Sequence, residues 1–147
     1  MKRIIHLIAA ILATLCIAIF FTSTILVELL GSQESIATVK RLIVTPGLFI
    51  LIPAIAITGG SGLSLSKGKK GGLVENKKKR MPIIGLNGLL ILLPCAIFLD
   101  QWAAAGTFDT KCFIVQGLEL IAGAINLMLM GRNMRDGLRM TGKLRPN

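Results

Sequence analysis

Four stretches of this sequence, approximately Ile4 to Val27, Leu42 to Thr58, Pro82 to Leu99 and Phe113 to Met130, are 17 to 24 residues long and hold one acid, Glu119, between them. Crossing a hydrocarbon core of ~30 Å takes about 20 apolar residues. The pattern predicts an all-α membrane protein, a four-transmembrane-helix bundle that forms one domain over residues 1–147. Charged residues make up 16% of the chain, against about a quarter in soluble domains. Little length remains for a separate catalytic domain, so a functional site is expected inside the bundle or at its rims. The first run follows Met1-Lys2-Arg3, as a signal peptide would. It exceeds the ~7 to 15 residues of a signal core and has no small-x-small cleavage site after it, so it reads as a retained helix.

The net charge of +10 could suggest nucleic acid as a partner. However, the basic residues lie between the apolar runs, where they fix topology, and no nucleic-acid partner is expected. Fourteen of the seventeen Lys and Arg fall at the N-terminus, between runs two and three, or in the tail. Lys40, Arg41 and Lys111 fall on the other side, with Glu28, Glu34, Asp100 and Asp109. The excess predicts N-in/C-in orientation in a bacterial inner membrane, with Trp102 as an interfacial anchor. Residues 59–81, rich in Gly, Ser and Lys, read as a solvated basic cytoplasmic loop. Its Lys77-Lys78-Lys79-Arg80 run would lie against anionic membrane lipid. Arg132 to Arg139 alternates basic residues with Met134 and Leu138 and reads as a surface-lying segment.

Pro46 and Pro82 are expected in the first turns of their helices, where the missing N–H costs nothing. Pro53 and Pro94 are interior and predict kinks. Gln116, Glu119, Gly123, Asn126 and Met130 recur at three and four residues, so helix four carries one polar stripe that must point into the bundle. The expected partners of Glu119 are Gln116 or a snorkelling Arg41. His6, Ala9, Ala13, Cys16, Phe20 and Thr24 form the matching face of helix one. Counting along the helices puts His6, Asn87 and Asn126 near one level, in a cytoplasmic-side pocket. Cys16, Cys95 and Cys112 have no C-x-x-C spacing. Cys95 and Cys112 lie toward the same face, where the sequence allows a structural disulfide without indicating one. No phosphate-binding, dinucleotide or metalloprotease motif is present.

Arg3-Ile4-Ile5-His6 and Arg41-Leu42-Ile43-Val44-Thr45-Pro46-Gly47 resemble the openings of helices one and two in the small four-helix bacterial membrane proteins of the HemJ-like and CopD-like type. The resemblance implies that His6 is a haem ligand and that one of Lys77 to Lys79 matches a lysine at the start of helix three. This chain lacks the Trp-Leu-His-x-Lys-type start of helix three and the further histidines of HemJ proteins. Met81, beside the lysines, could serve as a second axial ligand, as could His6 of a second subunit in a homodimer. The leading expectation is therefore a membrane protein binding b-type haem, or another hydrophobic cofactor, within the bundle, with His6 as the metal ligand. The alternatives are a small dimeric transporter using Glu119 as the coupling carboxylate, and a non-catalytic scaffold or accessory subunit.

Overall fold

The structure, a computed structural model, describes residues 1–68 and 71–140 and has four helices long and apolar enough to cross a membrane. No strand occurs among the described residues. The first crossing is α1 (Lys2–Leu30). The second joins α2 (Gln33–Leu42) to α3 (Leu48–Ser66) across a kink at Ile43–Gly47. The third joins α4 (Gly72–Asn87) to α5 (Leu93–Ala104) through a π-helical turn at Gly88–Leu92. The last is α6 (Thr110–Met140). At 29 to 34 residues each, the crossings are roughly 43 to 51 Å long, more than a hydrocarbon core requires.

That extra length changes the sequence reading in three places. The second crossing begins at Gln33, where Ser32 accepts a hydrogen bond from the Ser35 amide at 3.3 Å and caps the helix. Lys40 and Arg41 therefore belong to the last turn of α2 and not to a loop. Most of the stretch expected as a loop at 59–81 is helical, since α3 continues to Ser66 and α4 starts at Gly72. The hydroxyls of Thr58, Ser61 and Ser66 turn back onto the carbonyls of Ala54, Ile57 and Leu63, which lets polar residues remain helical. Arg132 to Arg139, expected along the membrane surface, continues α6, with Asn133 and Asp136 buried. Lys69, Lys70, Lys143 and Arg145 lie outside the described residues.

The earlier start of α4 makes Pro82 interior rather than a first-turn residue. Pro46 keeps its expected place at a helix start: Thr45 leaves helical geometry (φ −136°, ψ 110°), the Thr45–Pro46 peptide is cis, and the helical segment that leads into α3 resumes after this break. Pro94 follows the π turn at Gly88–Leu92, in which the Leu93 amide reaches back to the Gly88 carbonyl. The π turn thus takes up the disturbance expected there. α3 runs through Pro53 uninterrupted.

Ala13 and Ile17 of α1, Leu51 and Ala54 of α3, Ile84 of α4 and Met130 of α6 form the central core. Small residues on α1 allow the close helix approach that membrane bundles depend on. Of the face expected on α1, Ala9, Ala13 and Thr24 are buried, while His6, Cys16 and Phe20 are half-buried. Near the other end, Cys95, Leu99 and Cys112 pack together with Trp102, and all three cysteines are free thiols. Exposed Ile8, Ile19, Phe49, Leu90 and Ile121 give the bundle an apolar exterior.

Candidate functional site

The inner face of α6 carries every member of the predicted stripe. Gln116, Gly123, Asn126 and Met130 are buried and Glu119 is half-buried. Glu119 meets Lys40, not Arg41: Lys40 Nζ lies 2.7 Å from Glu119 Oε2, and Gln116 Nε2 donates to the same oxygen at 3.0 Å. Because α2 is helical from Gln33, Lys40 shares its inward face with Ile43 and Gly47, both buried. The lysine is 1% exposed and Arg41 is exposed. Glu28, from the end of α1, also lies within electrostatic reach of this pair.

About two turns further along α6 the amides meet. Asn87 Nδ2 donates to Asn126 Oδ1 and to the Ala122 carbonyl, each at 2.9 Å, while Asn126 Nδ2 donates to the Ile84 carbonyl at 3.4 Å. Asn126 is fully buried. Replacing Asn87 by Leu strands the Asn126 oxygen, so denaturation of Asn87→Leu in detergent should show a loss of about 1 kcal/mol. Leu86→Ala, at an exposed position, should cost less.

The stripe then continues past the predicted residues to Asn133 and Asp136. Arg80 Nη1 lies 2.6 Å from Asp136 Oδ2 and also donates to Asn133 Oδ1 at 3.5 Å. The helix phase of α4 splits the basic run: Lys77 and Arg80 turn inward, whereas Lys78 and Lys79 are exposed. Lys77 Nζ approaches Gly137 closely enough that a Cβ there would lie 3.4 Å from it.

His6 does not join Asn87 and Asn126. Its Nδ1 lies 3.2 Å from the Thr58 carbonyl and 3.0 Å from Ser61 Oγ, both on α3. A carbonyl only accepts, so Nδ1 carries the proton and Nε2 keeps its lone pair. Met81 shares the site. A Cβ built on Gly62 would lie 3.0 Å from Met81 Sδ and 3.1 Å from His6 Cε1, so these two atoms are no more than about 6 Å apart. The absence of a side chain at Gly62 is what lets α1, α3 and α4 meet there. Lys77 is within electrostatic reach of the imidazole.

An imidazole oriented by a backbone carbonyl through one nitrogen, with the other open, has the orientation of a metal-ligating histidine. A thioether and an amine close by supply the donors of a second axial ligand. The donor set at His6 therefore fits haem iron. No group of three or more His, Cys, Asp or Glu side chains suited to holding a bare metal ion occurs among the described residues. A cavity inside the bundle, bordered by Phe20, Thr24 and Glu119, is about 50 Å³, far below the size of a porphyrin. Around His6 the rim of the bundle exposes the apolar side chains of Ile4, Ile5 and Leu63. Comparison with family models, with curated proteins and with solved structures gives no match.

Proposed function

We propose that this multi-pass protein lies in a bacterial inner membrane with both termini cytoplasmic and holds a b-type haem at His6, on the cytoplasmic rim of the bundle. What supports the reading is a contrast in bonding. Glu119 is closed by Lys40 and Gln116, Asn126 by Asn87, and Asp136 by Arg80. His6 Nε2, beside Met81, has no hydrogen-bond partner among the described residues. Closed polar networks fix helix packing, whereas an oriented and open imidazole is available to a ligand. His6 would hold the iron, Thr58 and Ser61 would orient the ring, and Met81 or Lys77 would supply a second ligand. Haem would supply one-electron chemistry, tuned by that second ligand.

The orientation rests on the fourteen-to-three division of Lys and Arg. A second reading, a carrier with Glu119 as coupling carboxylate, draws on the burial of the Lys40–Glu119 pair.

Titration of the detergent-purified protein with haem tests the proposal. A saturable Soret band is expected, with visible bands that sharpen on reduction. Met81→Leu and Lys77→Ala should change the spectrum unequally, because thioether and amine ligands differ in field. A protein that stays colourless at saturating haem would end the haem reading.

A further inference from the structure

At the end of the bundle away from His6, α2 and α5 part to form a cleft of about 320 Å³ lined by Ala37, Thr38, Arg41, Leu42, Asp100 and Ala104. Its size falls at the low end of small-ligand sites. Asp100 lines this cleft, and its Oδ1 is the one buried side-chain oxygen or nitrogen without a hydrogen-bond partner among the described residues. A buried acceptor left unpaired is costly, more so when charged, so a donor in the cleft that turned the carboxylate toward it would relieve that cost. Arg41 lines the same cleft but forms no ion pair with Asp100, since the described ion pairs are Lys40–Glu119 and Arg80–Asp136.

The two charges together select the ligand. A bare cation drawn to Asp100 would meet the Arg41 guanidinium, and a bare anion drawn to Arg41 would meet the carboxylate. A group with an N–H-bearing cation at one end and an anion at the other satisfies both. The cleft also sits near the ends of two crossings, with Asp100 four residues before the end of α5 and Arg41 eight residues after the start of the second crossing at Gln33. Leu42, 56% exposed, offers apolar surface at its edge. The geometry points to a binding site for a phosphoethanolamine group, its ammonium on Asp100 and its phosphate on Arg41, carried by a membrane phospholipid.

Native mass spectrometry of the full chain in detergent, with phosphatidylethanolamine, phosphatidylcholine or phosphatidylglycerol added at equal concentration, tests this site without reference to haem. Phosphatidylcholine keeps both charges but has no N–H to donate, and phosphatidylglycerol lacks the ammonium. Retention of phosphatidylethanolamine should exceed that of either by about tenfold, the size of one charge-assisted hydrogen bond. Asp100→Ala and Arg41→Gln should each remove the preference. Free O-phosphoethanolamine, added as a competitor, distinguishes the sources. Survival of the lipid adducts supports the lipid, while their displacement together with binding of the free compound would overturn the lipid assignment in favour of a soluble zwitterion. Equal retention of the three lipids by the unaltered chain would overturn the site, as would a preference that survives both substitutions.

Discussion

Lys40→Met should destabilise the bundle by about 3 to 5 kcal/mol, measured by chemical denaturation in detergent. The substitution removes one partner of a buried ion pair and leaves the Glu119 carboxylate with Gln116 alone, and breaking such a pair costs that much because the surviving charge remains buried. Glu119→Leu should be comparably damaging, since it strands an ammonium that is 1% exposed. The double variant Lys40→Met/Glu119→Leu should recover most of the loss, as apolar replacement of both members of a buried pair is often close to neutral. The cycle therefore separates a packing role from mere tolerance of charge. Single variants within about 0.5 kcal/mol of the unaltered chain would show that the pair is solvated.

The polar stripe on α6 is legible in the sequence because spacings of three and four residues place Gln116, Glu119 and Asn126 on one side whatever the neighbouring helices do. Its partners are not legible in the same way. Lys40 and Arg41 stand before an apolar run, and a window that measures hydropathy assigns both to the loop. The signal that would have moved them is Ser32-Gln33-Glu34, a helix start nine residues earlier than the hydropathy suggests. Asp136 extends the stripe by the same spacing, yet the basic residues around it in the tail conceal the pattern. Four consecutive cations at 77 to 80 carry no facial information until the helix phase is fixed. Met130 and Ile84, packed in one core, set that phase and turn Lys77 and Arg80 inward.

His6 shows a different limit. The basic-x-x-His start marks it as a candidate, but its neighbours come from α3 and α4, in a stretch whose Gly and Ser content reads as a linker. Gly62 acts there by what it lacks, leaving space that Met81 and the imidazole share. Such a contact among three helices has no linear signature. The expected convergence of His6 with Asn87 and Asn126 rested on depth alone, and depth does not fix which helix face each residue occupies.

Replacing His6 by Gly and adding imidazole tests the haem assignment most directly, because it separates ligation from structural support. The unaltered chain should bind haem with a Soret band, and His6→Gly should lose at least about tenfold in haem affinity, as removal of an axial donor implies. Millimolar imidazole, which supplies the missing nitrogen without restoring any tether to α1, should then return the band. A His6→Gly protein that binds haem with an unchanged spectrum, and that imidazole leaves unaltered, would contradict the assignment.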